Sequence, residues 1–300
     1  NMNWLIVSTS TQNSQIEGIN KLLDSYDADV LQYFTDSESY ESLFDKVSQC
    51  EYCIWIDELS NFSDFKSTEL SHVLGYLIGK KIHLFYTNTN PTDMFKLASL
   101  TCHQFESITA LENAVKDRFP EFLEYEKQKK AKKSLLEAGI PYNPDSFAFH
   151  IAANNENECN LFIDAGIDVN SRDAAGTPMI CVAVRHNRKN MMEKLIEKGA
   201  DINAISQDRG YSPVMDAVWK ANDEIVEYLV NKGANLSYIS RDGQPVLVLA
   251  VGTGNEKICK LLVEHGADPS ACDSMGMSAL AYAKLFKKNN IIPMFEAITQ

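Results

Sequence analysis

No stretch of this chain approaches 18 consecutive apolar residues, so a membrane-spanning helix is not expected. No basic segment precedes a short apolar run, which leaves no secretory signal to read. Asn1 ahead of Met2 reads as the scar of a removed tag and is set aside from the fold. Cysteine is scarce and odd in number, seven residues, most of them inside expected helices and strands. That usage fits a reducing, cytoplasmic compartment better than a disulfide framework. Six histidines lie scattered and no second cysteine pair accompanies Cys50 and Cys53, so neither a metal nor a cofactor is expected. Cys50-Glu51-Tyr52-Cys53 has redox spacing, but it runs into a strand and does not open a helix. No helix dipole would lower a thiol pKa there, and buried structural cysteines are expected.

Basic residues are also short, with 28 Lys and Arg against 41 Asp and Glu and a net charge of −13. Residues 1–125 hold 8 of the former and 19 of the latter, so that half carries −11. Nucleic acid is therefore not an expected partner, because gripping a phosphate backbone needs Lys and Arg contacts. The exception is Lys127, Lys129, Lys130, Lys132 and Lys133, which reads as a solvated helix face beside an acidic domain.

What the chain does have is a repeat. Gly166, Gly199, Gly233 and Gly266 recur every 33 or 34 residues, and Gly176, Gly210, Gly243 and Gly276 recur with them. Between the two sets the pattern is helical: Ile225, Val226, Leu229 and Val230 form one apolar stripe. Met191, Met192, Leu195 and Ile196 form another, and Ile258, Cys259, Leu261 and Leu262 a third. Each unit reads as a turn, an inner helix, an outer helix and a loop. None can bury its apolar face alone, so neighbours must stack.

Tyr211-Ser212-Pro213-Val214-Met215-Asp216-Ala217-Val218, with Ile225 through Asn235, resembles an ankyrin repeat. The resemblance covers roughly residues 131–300 and implies a helical cap at 126–143, a short repeat at 144–170, full repeats at 171–203, 204–236 and 237–269, and a C-terminal cap at 270–300. Gly176-Thr177-Pro178 and Gly243-Gln244-Pro245 place proline one residue early, which bears on the turn geometry. The family's inner-helix histidine stands only at His150; Cys181, Met215, Val248 and Ala281 replace it elsewhere. Ankyrin arrays bind proteins through finger tips and inner helices on the concave side. In this chain those positions are Arg185, His186, Asp208, Arg209, Tyr211, Trp219, Lys220, Arg241, Asp242 and Gln244, with Thr253 beside them. Trp, Tyr and Arg are the types most enriched at interface hot spots. Trp219 has no core role in the family pattern, so it reads as an interface residue; the competing reading packs it on a neighbouring element.

Residues 1–125 alternate between strand and helix. Strands are expected at Trp4–Val7, Val30–Phe34, Tyr52–Ile56 and Lys81–Tyr86, with a weaker one near His103–Phe105. Helices are expected over 14–24, 38–49 and 66–79 and after Thr109. Continuous apolar strands between helices mean a parallel sheet covered on both faces, a flavodoxin-like or Rossmann-like α/β sandwich. Its ligand crevice should lie at the carboxyl ends of the strands, where strand order reverses. Between the halves there is no Gly/Ser/Pro linker; residues 119–138 read as one long helix, and a stiff junction is expected.

Ser8-Thr9-Ser10-Thr11-Gln12 follows the first strand, Asp57-Glu58 ends the third, and Ser67-Thr68-Glu69 opens the next helix, which runs on to Gly79-Lys80. This arrangement resembles the nucleoside 2-deoxyribosyltransferase-like superfamily, relatives of which include NAD-cleaving Toll/interleukin-receptor domains. The resemblance implies a nucleotide-like ligand held by Ser8, Thr9, Ser10, Gln12, Asp57 and Glu69. It implies that Asp57 binds a ribose hydroxyl and that Glu69 is the catalytic carboxylate at C1′. A carboxylate beside C1′ suits such chemistry, since breaking an N-glycosidic bond builds positive charge on the sugar. Glu69 stands two residues early against the family spacing, and position 71 is serine. Two alternatives stay open. Asp57 and Glu69 can be a plain strand-end acid and a first-turn glutamate favoured by the helix dipole. Asp57 also stands where a receiver domain carries its phosphoacceptor, although the acidic pair after strand one is missing. The sequence therefore points first to a protein-interaction scaffold, and second to an N-glycosidic enzyme carried by ankyrin repeats.

Overall fold

A computed structural model describes residues 2–8, 14–34, 37–56, 67–87 and 102–299. The chain divides into two compact units, residues 1–126 and 127–300.

The first unit is built on five parallel strands: β1 Asn3–Ser8, β2 Asp29–Phe34, β3 Tyr52–Ile56, β4 His83–Thr87 and β5 Cys102–Phe105, in the order β2-β1-β3-β4-β5. The helices are α1 Ser14–Asp24, α2 Tyr40–Gln49, α3 Ser67–Gly79 and the start of α4, Ile108–Glu137. Alternation along the strands sorts the core into two layers. Leu5, Val7, Cys53, Trp55 and Leu84 pack with Leu43 and Val47 of α2 and with Val73 and Leu77 of α3. Trp4, Ile6, Tyr52, Ile54 and Phe85 pack with Ile16, Ile19 and Leu23 of α1 and with Leu111, Val115 and Phe119 of α4. Strands buried on both faces explain their unbroken apolar runs. Aromatic stacking fixes the second layer: the Trp4 ring lies 4.7 Å from Tyr52 and 6.0 Å from Phe119. Such pairs add about 0.5–1.5 kcal/mol beyond their buried area.

The CxxC pair ends as structural cysteine. Cys50 and Cys53 are buried, and burial pushes the Cys50 thiol up to about 12, away from the thiolate that redox chemistry needs. Among the described residues, no helix is long and apolar enough to cross a membrane, and no cluster of three metal-ligating side chains occurs.

The second unit is a stack of helix pairs. After the last turns of α4 come α5 Pro144–Ala153 and α6 Glu156–Asp164, α7 Met179–Arg185 and α8 Lys189–Glu197, α9 Pro213–Trp219 and α10 Asp223–Asn231, α11 Val246–Thr253 and α12 Glu256–Glu264, α13 Ala279–Leu285 and α14 Ile292–Thr299. Inner helices α5, α7, α9, α11 and α13 pack each on the next, and each on its own outer helix. One continuous core results, from Ala131 and Leu135 of α4 to Phe295 of α14. Neighbouring repeats are also laced by side chains: Asn170 accepts from the Asp201 amide at 2.8 Å, and Asn203 from the Asn235 amide at 2.8 Å.

The early prolines find their explanation in the fingers. Each finger closes on a backbone pair, Asp173 with Thr177, Ser206 with Tyr211, Ser240 with Gln244 and Asp273 with Met277. The finger at 206–211 holds one residue more than the others. Pro178 and Pro245 are the caps of α7 and α11, whereas Ser212 caps α9 and Pro213 opens it. Proline suits both places, since neither needs a helical amide donor.

Candidate functional site

The inner helices present two repeating positions to the face they share with the fingers. The fourth residues of α7, α9, α11 and α13 are Val182, Asp216, Leu249 and Tyr282; the seventh are Arg185, Trp219, Gly252 and Leu285. Each departure from an aliphatic side chain in these rows has a structural consequence.

Asp216 takes an apolar position and is 1% exposed. Arg185 reaches it from the preceding repeat, with Nε donating to Asp216 Oδ2 at 2.9 Å. The same guanidinium donates to both Asp208 oxygens, at 2.7 and 3.0 Å, and to Ser206 Oγ at 2.9 Å. One arginine thus ties α7 to α9 and to the finger between them. The two carboxylates respond in opposite directions. Burial raises the Asp216 pKa against the pull of Arg185, and its Oδ1 has no hydrogen-bond partner among the described residues. Hydrogen bonds from Arg185 hold the more exposed Asp208 well below the usual carboxylate range.

Trp219 and Gly252 open a cleft next to this network. Trp219 is 55% exposed at the end of α9. Gly252 leaves the next place in its row without a side chain. The resulting cleft, about 500 Å³, is lined by Trp219, Gln244, Val248, Thr253, Asp273, Met275, Tyr282 and Phe286, among others. Asp273 accepts from the Met275 and Met277 amides at 2.9 Å and from Tyr282 Oη at 2.7 Å. The Met277 amide, then the Tyr282 hydroxyl, lowers its pKa, so it is ionised near neutrality. A second hollow, about 450 Å³, lies between Phe149, Ala152, Asp173, Arg185 and His186.

Of the residues read from the sequence, His186, Arg209, Lys220, Arg241 and Asp242 are exposed on fingers or inner-helix ends, Asp208 is exposed within the arginine network, and Trp219 faces solvent. Thr253 and Gln244 are half-buried beside the cleft. Arg185 is spent on Asp208 and Asp216. Tyr211 is 8% exposed and its hydroxyl stands 3.5 Å from Gln244, so it is framework under the face. Sequence reading missed Asp216, Gly252, Asp273, Tyr282 and Phe286. A carboxylate inside an apolar inner helix and a glycine inside another were the visible signals.

Of the nucleotide-type residues, only Ser8 and the backbone of Glu69 lie within the described residues. Ser8 ends β1, where β1 pairs with β2 on one side and β3 on the other. Its side chain is fully buried, and Oγ has no hydrogen-bond partner among the described residues. Glu69 lies in the first turn of α3, with its side chain outside the described residues. Thr9, Ser10, Gln12 and Asp57 also lie outside them.

Comparison with known proteins accounts for the second unit. The family of ankyrin repeats (3 copies) matches residues 111–206, 149–240 and 214–295 in overlapping stretches. The chain is 36% identical over 165 residues to an ankyrin repeat-containing protein of Treponema pallidum (strain Nichols), a stretch covering 55% of each. It is 29% identical over 93 residues to ankyrin repeat and SOCS box protein 3 of Homo sapiens, covering 30% of this chain and 18% of that protein. An ankyrin repeat protein of Acanthamoeba polyphaga mimivirus is 30% identical over 112 residues, 36% of this chain and 67% of the viral protein. The chain thus spans just over half the length of the Treponema relative and less than a fifth of the human one.

Proposed function

The chain belongs to the ankyrin-repeat family, and from that premise we propose that it is a protein-interaction module whose inner-helix and finger face grips a protein partner. The observation that carries this reading is Trp219. An indole more than half exposed has no place in the core, and the cleft beside it offers shape and apolar surface. His186, Arg209, Lys220, Arg241 and Asp242 supply a polar rim that sets orientation and partner choice more than affinity. Buried thiols on both units fit the reducing cytoplasm read from the sequence. Trp219→Ala is expected to weaken a captured partner by about 2 kcal/mol, the size of a hot spot. Calorimetry on the purified pair checks it. Unchanged affinity in a Trp219→Ala, Arg241→Ala double variant would move the interface elsewhere.

A second reading concerns the sheet. Its strand order is that of flavodoxin-like folds, whose ligands sit beyond the carboxyl ends of the strands beside β1 and β3. The buried Ser8 hydroxyl, without a hydrogen-bond partner among the described residues, stands at that end of β1. A polar group so placed costs about 1–3 kcal/mol unless something bonds it. This supports a nucleotide-like ligand, with Glu69 beside the sugar. Nucleosides and NAD titrated into the full chain are expected to bind without turnover. Release of free base or nicotinamide that falls at least ~100-fold in Glu69→Gln would instead make the first unit an N-glycosidic enzyme. A panel with no binding at all would remove the reading.

A further inference from the structure

The cleft beside Gly252 has a chemistry of its own. Trp219 walls one side. Tyr282 and Phe286 wall the other, their rings stacked 5.7 Å apart at 23°. Asp273 stands among them, anchored by two finger amides and the Tyr282 hydroxyl. The lining contains this carboxylate and neither lysine nor arginine. Lys284, on the same helix as Tyr282, is engaged by Glu296 at 2.8 Å. Aromatic faces carry negative electrostatic potential, and a fixed carboxylate beside them adds to it.

Gly252 is the second observation. It sits within α11, and a Cβ there would meet nothing within 4 Å. Its φ is not positive, so neither backbone nor packing calls for glycine. Glycine inside a helix is less stable than alanine. What it does is keep the floor of the cleft open between Trp219 in one repeat and Phe286 two repeats on.

We propose that this cleft is an aromatic cage for a cationic side chain, a lysine or arginine carried by the protein partner. The proposal rests on the reading of the inner-helix face as the interaction surface. It deepens that reading by naming what the face selects. The cation enters over Gly252, lies against the Trp219, Tyr282 and Phe286 rings, and is balanced by Asp273. An apolar anchor would gain from the same walls but would leave the carboxylate without a counter-charge.

The test uses the whole 300-residue chain and two probes of one shape: choline, and its uncharged carbon isostere 3,3-dimethylbutan-1-ol. Trp4 and Trp55 are buried, so a fluorescence change on titration reports Trp219, and a Trp219→Leu control confirms the source. Choline is expected to bind about tenfold or more tighter than the isostere, the scale of a partly desolvated cation–π contact. Asp273→Asn keeps an acceptor for the finger amides, and it is expected to weaken choline severalfold while leaving the isostere unchanged. Gly252→Leu is expected to abolish both titrations without lowering the thermal midpoint. Equal binding of the two probes, or full choline affinity in Gly252→Leu, overturns the cage. If choline fails to bind while Trp219→Ala still releases the partner, the cage is refuted and the interaction face stands. If choline binds but Trp219→Ala keeps its partner, the cage stands and the protein interface lies elsewhere.

Discussion

Arg185→Met removes the guanidinium that hydrogen-bonds Asp216, and the cost can be bounded in two ways. Side-chain exposure is 13% for Arg185 and zero for Asp216, so this is a buried pair. Breaking such a pair from one side costs about 3–5 kcal/mol, because it strands the other charge. The stranded carboxylate can instead take up a proton. At pH 7, protonating a carboxyl whose unfolded pKa is near 3.9 costs about 4 kcal/mol, at 1.36 kcal/mol per unit. The two routes agree, and the second depends on pH. Burial already sets the folded Asp216 pKa above its unfolded value, and losing Arg185 raises it further. Between the unfolded and folded values the folded state then binds more protons, so stability falls as pH rises through that window. The penalty should therefore shrink to about 1.5 kcal/mol at pH 5. Asp208 acts with opposite sign. Its folded pKa is depressed by Arg185, so its contribution is present above the unfolded value and lost as pH falls through the folded one. That window lies below pH 4, outside the comparison. Urea unfolding at pH 7 and pH 5, with hydrogen exchange of the α9 amides, measures the loss. Asp216→Leu added to Arg185→Met should return stability to within about 1 kcal/mol, since leucine and valine hold the same place in neighbouring repeats and a buried pair is replaceable by apolar packing. A single-variant loss below about 1 kcal/mol at pH 7, or the same loss at both pH values, would refute the reasoning.

Two further outcomes are expected. Gly199 and Gly210 both have positive φ, at 93° and 66°, but a Cβ on Gly199 meets open space while one on Gly210 would stand 2.6 Å from the Arg241 Cβ and 2.9 Å from its amide nitrogen. Gly199→Ala should cost about 1–2 kcal/mol of backbone strain alone, and Gly210→Ala clearly more; equal thermal shifts would show that finger contact does not matter. Thiol labelling followed by mass spectrometry should modify exposed Cys272 at once and leave Cys50, Cys159 and Cys259 until the chain unfolds, because burial raises those three thiols to about 12; early labelling of any of them in the native protein would contradict the packing.

The repeat was legible because stacking forces the same answer in every unit. Glycines at positive φ and apolar stripes on the outer helices recur at one period, and the residues that carry them pack as the period requires. The central strands were legible for a related reason: both faces of β1, β3 and β4 are covered, so each is an apolar run bounded by turns. Boundaries shifted where local signals were weak. The fourth strand starts at His83, after Lys81 turns at a φ of 56°. The long helix expected after Thr109 and through 119–138 runs unbroken as Ile108–Glu137, with Pro120 inside it.

The site was less legible, because its chemistry lies between repeats. Nothing in the local sequence tells that Arg185 crosses 31 positions to meet Asp216, so an arginine at a surface-type position reads as a contact residue. The informative signal was the mismatch in a row. Val182, Asp216, Leu249 and Tyr282 stand at one structural place, and the single carboxylate among them demands a buried cation. The row of Arg185, Trp219, Gly252 and Leu285 follows the same logic in reverse. There the outlier is an absence, a glycine where nothing crowds the backbone, flanked by an exposed indole. In a stacked array the repeat supplies its own reference for what each position needs. A residue that departs from its row without a packing reason is therefore the place to look for function.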